Sequence, residues 1–181
     1  MFASRWAELA RTEQLLDALA QREPLSPTQF GLSVHNAVGA LHSIARGERG
    51  NYLAVAAGAH SIEAGFVEAL GLLADGAERV IVAAYDGRPP AHSADALATT
   101  AIDEPGAIPP YVHAIACEVV RGDAADLTLS STVSTTAGQD AAVPLPDALD
   151  VLRFLVASDA RHLDRGTPGG GRGWRWERGH A

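Results

Sequence analysis

Apolar residues in the middle of the chain follow the order of a strand, a helix and a second strand. Residues 52–57 form a short apolar run of strand length, and residues 79–84 (RVIVAA) form a β-branched run without alternation, typical of a strand covered on both faces. The helix between them has apolar residues at helical spacing, at Ile62, Phe66, Ala69, Leu70 and Leu73. This order predicts a right-handed crossover unit of an α/β fold.

Helices are predicted on both sides of this unit. Residues 4–21 place leucines between charged residues and predict an amphipathic surface helix. Ser26 followed by Pro27 is a strong helix start, and an apolar stripe continues from there to Gly47. Residues 144–158 predict a last helix.

Two further strands are predicted after the crossover unit. Residues 111–120 and 126–134 predict a hairpin at the edge of the sheet, joined by residues 121–125. Residues 87–110 are rich in Pro, Ala, Ser, Asp and Gly and predict a surface connection.

The end of the chain differs in composition from the rest. It is rich in glycine and predicts a mobile tail, in which Trp174 and Trp176 could dock as a short edge strand. We therefore expect one domain over residues 1–160 and a tail over residues 161–181.

Composition and charge exclude several classes of protein. The chain has 181 residues, of which 47% are hydrophobic and 20% charged, enough for one sizeable core. Its net charge is -8 and its basic residues form no patch on a predicted helix, so nucleic acid is not an expected partner. No apolar run has membrane-spanning length and no signal peptide is evident, so we expect a cytoplasmic protein.

The turn before the central helix, residues 57–61 (AGAHS), is the strongest candidate site. Backbone N–H groups at a helix N-terminus favour a nucleophile or an anion there. The turn matches neither the hydrolase elbow nor a glycine-rich phosphate loop, so no cofactor is expected. A metal site on His35 and His42 would lack a third ligand.

Two residues are candidate nucleophiles. Ser61 stands next to His60, but adjacent residues seldom let an imidazole reach the hydroxyl, and helix capping is the favoured role of Ser61. Cys117 lies in an apolar strand, and its favoured role is that of a small buried residue. No helix start follows it to lower its pKa. An acyl-transfer enzyme using Ser61 or Cys117 stays an alternative.

The strand, the elbow and the segment ADGAERVIVAAYD resemble the N-terminal half of a β-ketoacyl synthase, a thiolase-fold enzyme. Residues 26–47 (SPTQFGLSVHNAVGALHSIARG) resemble the helix that precedes the elbow strand in that family. Together the two motifs cover residues 2–120. The resemblance implies a thiolase-like α/β fold with a mixed sheet covered by helices, in which the family's first strand and first helix are missing from this chain.

The resemblance places the family's catalytic cysteine at Ala59. Alanine cannot hold a growing chain as a thioester, so the resemblance implies a non-catalytic relative. The chain is most similar to ketosynthase-like chain length factors, including those of aryl polyene pigment synthases. The implied function is to shape the acyl channel of a heterodimer with a ketosynthase in fatty acid, aryl polyene or polyketide-type biosynthesis, with acyl carrier protein as a further partner.

The resemblance also implies roles for particular residues. The degenerate elbow, which borders the acyl channel, consists of Gly58, Ala59, His60 and Ser61. The dimer interface consists of Tyr52, Leu53, Ala54 and Val55 of the elbow strand, together with His35 and Asn36. A self-associating structural domain without an acyl role is the remaining alternative.

Overall fold

The computed structural model describes residues 1–87, 112–122, 127–134, 147–157, 159–166 and 171–179. Its helices are α1 (Leu9–Ala20), α2 (Pro27–Gly31), α3 (Ala37–Arg46), α4 (Ser61–Ala74) and α5 (Asp147–Val156). Its strands are β1 (Phe2–Ala3), β2 (Ala54–Val55), β3 (Arg79–Asp86), β4 (His113–Val120), β5 (Leu127–Ser134), β6 (His162–Arg165) and β7 (Gly171–Arg178). The predicted surface connection, residues 87–110, lies outside the described residues except for Gly87.

The described strands form two sheets. The first has the order β2-β1-β3-β4, with β1 parallel to both of its neighbours and β4 antiparallel to β3. The second is antiparallel, with the order β5-β7-β6. The prediction of a mixed sheet with helices is confirmed, and the crossover from β2 through α4 leads to β3, two positions away, with β1 between them.

The core lies where α4 and α5 pack on one face of the first sheet. Phe66 and Ala69 of α4 and Val151 of α5 are buried against Val82 of β3 and Ile115 of β4. Gly65 lets α4 approach closely, because a Cβ there would lie 3.1 Å from the Cβ of Ala3. The apolar stripe predicted for the central helix is therefore the face that α4 buries, except at Leu70, which is 48% exposed.

The ends of α4 follow from its sequence. The left-handed backbone of Gly76 (φ 105°) lets the last turn close, with the Gly76 N–H donating to the carbonyl of Leu73 and the Ala77 N–H to that of Leu72. This pair of bonds is the Schellman arrangement that favours glycine after a helix. The predicted stop at Gly76 is confirmed.

The helix predicted from Ser26 to Gly47 is two helices in the structure. Its start is confirmed, because the Ser26 hydroxyl accepts the N–H of Gln29 at 3.3 Å, but α2 ends at Gly31 and α3 begins only at Ala37. In the break, the Ser33 hydroxyl donates to the Phe30 carbonyl at 2.8 Å. The prediction of one continuous helix is therefore wrong. Local hydrogen bonds from side chains to the backbone, such as that of Ser33, compete with the bonds of a helix.

Strand β3 is covered less completely than its sequence predicts. Val80, Val82 and Ala84 are buried, but Ile81 is 57% exposed. Successive side chains of a strand point to opposite faces, and α4 and α5 pack on only one of them. The expectation of burial on both faces is wrong at Ile81.

The predicted hairpin of residues 111–120 and 126–134 does not form. β4 pairs with β3, whereas β5 pairs with β7 in the second sheet. Both strands exist where they were predicted, but their partners are distant in sequence. Short strand patterns do not identify partners, and proximity along the chain misled the prediction here.

The predicted mobile tail is ordered in the described part of residues 161–181. His162–Arg165 and Gly171–Arg178 are strands β6 and β7, and β7 is the central strand of the second sheet. Trp176 is 1% exposed and its ring meets that of Phe66 edge to face, with centroids 4.9 Å apart. An aromatic anchor in the core outweighs the conformational freedom of the neighbouring glycines.

Gly71 offers a test of the helical assignment of α4. It is exposed within the helix, and a Cβ added there would meet nothing within 4 Å. We expect Gly71→Ala to stabilise the fold by about 0.5–1 kcal/mol, since alanine loses less backbone entropy in a helix. Urea denaturation measures the change. Gly39→Ala is the control, since its Cβ would lie 2.8 Å from the Tyr52 ring and should destabilise the fold. No gain from Gly71→Ala would contradict the assignment.

Candidate functional site

The candidate site lies at the end of the first sheet where its parallel strands have their carboxyl ends. The strands β1, β2 and β3 all end there, and antiparallel β4 begins there with His113 opposite Asp86. Ligands of open α/β sheets bind beyond the carboxyl ends of the strands. The turn predicted as the elbow follows β2 at this end and leads into α4.

The elbow is a tight turn with a left-handed glycine. Gly58 has φ 57°, which glycine adopts without a steric penalty. The His60 N–H donates to the Ala57 carbonyl at 3.0 Å, and the Ser61 N–H donates to the Gly58 carbonyl at 3.2 Å. These bonds turn the chain directly from the strand into the helix.

The Ser61 side chain forms hydrogen bonds within this turn and does not cap the helix. Its hydroxyl donates to the Gly58 carbonyl at 2.8 Å and accepts the Ala57 N–H at 3.0 Å, and the residue is 6% exposed. Ser61 is the first residue of α4, and the preceding His60 is in the cap position without a side-chain cap bond. The predicted capping role is therefore wrong, because the hydroxyl bonds back to the turn.

Ala59 and His60 occupy the position where the resemblance puts a nucleophile and its neighbour. Ala59 offers a methyl group and no group that could form a covalent bond with an acyl chain. The His60 side chain is 18% exposed, and its Nδ1 lies 3.9 Å from Oε2 of Glu63. The structure thus shows a strand, a turn and a helix at the elbow, with a methyl group at Ala59 and a Ser61 hydroxyl that is bonded within the turn.

A buried ion pair lies directly behind the elbow, and the sequence prediction missed it. Glu63 of α4 is 0% exposed and accepts a hydrogen bond from Nε of Arg165 at 2.5 Å. Nη2 of Arg165 also donates to the carbonyl of Ala59 at 3.0 Å, and Nε1 of Trp176 is 3.4 Å from the same oxygen of Glu63. The charged residue inside an apolar helix was visible in the sequence, but its partner, 102 positions away, was not.

A second polar cluster lies at the end of β3. Oδ1 of Asp86 accepts hydrogen bonds from the Ser4 hydroxyl at 2.7 Å and from the backbone N–H groups of Arg5 and Trp6 at 2.8 and 2.9 Å. Burial nevertheless raises the pKa of Asp86, although these bonds and the nearby His113 favour its charged form. This cluster ties the chain after β1 to the end of β3 and so fixes the edge of the sheet beside the elbow.

The residues predicted for the dimer interface lie on and around β2. The structure shortens the predicted strand of residues 52–57 to Ala54–Val55, and β2 is the outermost strand of the described sheet. Leu53 is 42% exposed, whereas Tyr52 packs its ring on Phe2 with centroids 6.4 Å apart.

The two interface residues predicted outside the strand have different surroundings. His35 brings Nε2 to 2.9 Å from the carbonyl of Val55, so it contacts the edge strand directly. Asn36 is exposed at the start of α3. The structure thus brings His35 to β2, with Asn36 next to it in the chain.

Cys117 lies on β4, which is separated from β2 and the elbow by two strands of the first sheet. It lies in β4 opposite Val82, half-buried, with its sulfur 3.9 Å from the Val82 carbonyl. Burial raises the pKa of the thiol, which lowers the thiolate fraction at neutral pH. Its environment is that of a strand residue packed in the sheet.

The reactivity of Cys117 can be measured directly. We expect iodoacetamide to alkylate the folded protein more slowly at pH 7 than an unfolded control in urea, and the rate to rise with pH past the ordinary cysteine range, since only the thiolate reacts. Intact mass against time gives the rate. Alkylation in the folded protein as fast as in urea at pH 7 would contradict the raised pKa.

The described part of the chain has neither a metal-binding cluster nor a membrane-spanning helix. Within it, no three histidine, cysteine or acidic side chains form a group that could hold a metal ion. His42, one of the two histidines weighed as ligands, packs on the Phe2 ring at 5.8 Å, while His35 contacts β2. None of the described helices is both long and apolar enough to cross a bilayer.

Sheet, elbow and helix define a ketosynthase-like domain of the thiolase-like fold. Residues 1–177 match the family model described as "Beta-ketoacyl synthase, N-terminal domain", and the chain belongs to that family. A solved structure similar to it is a ketosynthase (ApeO) in complex with its chain length factor (ApeC) from Xenorhabdus doucetiae, with a TM-score of 0.79, 29% identity and coverage of 98% of this chain and 68% of that chain. No curated protein matches the sequence. The resemblance to a ketosynthase-like domain is confirmed.

Proposed function

We propose that this chain is a non-catalytic, chain length factor-like partner of a β-ketoacyl synthase. It would act in the cytoplasm in biosynthesis of the fatty acid, aryl polyene or polyketide type. Its work would be to shape the acyl channel of a heterodimer, while the partner performs the condensation. The similar solved structure, a ketosynthase with its chain length factor, supports this assignment.

The observation that supports the proposal is a strand, a tight turn and a helix at the elbow, with alanine where the resemblance puts the nucleophile. Gly58 retains the left-handed turn and Ser61 braces it, yet Ala59 cannot form a thioester. The hydroxyl of Ser61 donates a hydrogen bond to the Gly58 carbonyl, and burial raises the pKa of the Cys117 thiol. Neither group is activated, so the geometry supports the acyl-transfer alternative less well.

Strand β2 supports a dimer. Within the described sheet it pairs only with β1, so its other edge presents backbone groups to which a strand of a partner could bond. Leu53, exposed beside it, would be covered in such a dimer. Joining β2 to the equivalent strand of a ketosynthase would continue one sheet across the interface and bring this elbow near the partner's active site.

The elbow then becomes part of the channel wall. Ala59 and His60 follow the edge strand β2 after a gap of only residues 56–58, so their side chains would border the space that the partner's acyl chain enters. The acyl groups would arrive on acyl carrier protein. Small residues at the elbow would leave room for a long chain, and larger ones would shorten it.

Association with a partner is tested by co-expression with the ketosynthase encoded nearest to this gene. Affinity capture followed by size-exclusion chromatography with mass detection should give a one-to-one complex. Leu53→Arg should weaken this complex at least about tenfold in Kd, because it places a charge in a desolvated interface. Val133→Arg, at an 80% exposed position of β5, is the matched control and should bind as the wild type does. A homodimer that ignores the ketosynthase would favour the structural alternative.

A further inference from the structure

The guanidinium of Arg165 connects the second sheet to the elbow. Its Nη2 donates to the Ala59 carbonyl at 3.0 Å, its Nε donates to Glu63 at 2.5 Å, and its Nη1 lies 3.5 Å from Oδ2 of Asp150. The Arg165 side chain is 8% exposed and that of Glu63 is 0% exposed. A planar guanidinium with several fixed contacts has one orientation, so its donor to Ala59 is fixed in space.

This arrangement is costly for a purely structural contact. Removing two charges from water is expensive, and apolar residues of similar volume often stabilise a core equally well. Oε1 of Glu63 also lies 3.4 Å from the indole N–H of the buried Trp176, so the carboxylate is itself oriented. The product of this arrangement is a charged donor directed at one carbonyl of the elbow.

We propose that Arg165 is a positioning residue for the elbow, held by Glu63 against the carbonyl oxygen of Ala59. That carbonyl belongs to the peptide between Ala59 and His60, so holding its oxygen holds the plane of the peptide that joins these two residues. Strand β6 thereby acts as part of the elbow site, although it is 106 positions away from Ala59 in sequence. The effect on the elbow follows from the geometry, whereas its consequence for product length rests on the proposed function.

Hydrogen exchange at the elbow tests the inference on the isolated chain. The N–H groups of His60 and Ser61 bond within the turn and should be protected. In Arg165→Met we expect the peptide covering residues 57–62 to exchange at least about tenfold faster, as loss of a charged donor predicts. Arg175→Met is the control for the loss of an arginine–carboxylate pair in the same sheet, since Arg175 bonds Asp164 at 2.6 Å from its Nε, on the exposed surface and away from the elbow.

A second variant separates positioning from stability. Glu63→Met combined with Arg165→Met removes both buried charges, so the fold should recover stability relative to the single variant, but the Ala59 carbonyl still lacks its donor. Elbow exchange should therefore stay fast in the double variant. Exchange at the wild-type rate in the double variant, or equal acceleration in Arg175→Met, would overturn the proposal; the double variant decides the case if Arg165→Met does not fold.

Product length provides the functional readout. In complex with the ketosynthase, Arg165→Met should change the distribution of acyl chain lengths, while Arg175→Met leaves it as in the wild type. Fast elbow exchange with an unchanged distribution would overturn the link between Arg165 and length. A wild-type complex without elongation activity would instead count against the proposed function, and the exchange result would still decide the positioning role.

Discussion

Trp176→Ala should destabilise the protein by about 3–5 kcal/mol, the usual cost of truncating a large aromatic residue in a core. Trp176 is 1% exposed, its ring packs edge to face on Phe66, and its indole nitrogen lies near Glu63. The substitution therefore leaves a cavity between α4 and the second sheet and removes a neighbour of the buried carboxylate. Since domains are stable by only about 5–15 kcal/mol, much of the protein should unfold at modest urea concentrations.

The same strand provides the control for this prediction. Trp174 is only half-buried in β7, so Trp174→Ala should cost clearly less than Trp176→Ala. Urea denaturation followed by circular dichroism gives both midpoints. If the two variants unfolded at the same midpoint as the wild type, the last strand would not belong to the core.

Ala59→Trp should shorten the acyl chains made by the complex. The proposed channel passes the elbow, and an indole in place of a methyl group would fill the space that the end of the growing chain needs. We expect the longest products to disappear and shorter ones to accumulate. Chromatography with mass detection of the products measures this, on complexes whose one-to-one composition is checked first.

Ala74 provides a matched substitution away from the elbow. It is exposed at the other end of α4, so Ala74→Trp adds the same side chain where no channel is proposed. Its products should match those of the wild type. Unchanged products from Ala59→Trp in an intact complex would contradict the assignment of the channel, and shortened products from Ala74→Trp would show a nonspecific effect.

The local elements could be predicted from sequence because their signals are local. Ser26 and Pro27 begin a helix, Gly76 ends one, and the apolar spacing from Ile62 to Leu73 marks the buried face of α4. These features depend on backbone geometry and on burial within one element. Partner choice has no such signal, which is why β5 was paired with β4 rather than with β7.

The elbow shows the same division. Its turn was predictable from Gly58 between an apolar strand and an apolar helix. That Ala59 stands at a nucleophile position stays a prediction from the family resemblance. Glu63 stands among apolar neighbours in the sequence, and a buried charge needs a partner. The sequence does not identify which residue that partner is. Arg165 lies in a segment whose glycines suggested mobility, and only the folded chain brings the two together.

The central claim is tested most directly by measuring elongation of acyl groups bound to acyl carrier protein with three preparations: the ketosynthase alone, this chain alone, and the two combined. The account predicts elongation only in the combined preparation, with acyl adducts found by intact mass on the ketosynthase and none on this chain. An adduct on this chain, or elongation by the ketosynthase that this chain leaves unchanged in rate and product length, would contradict it.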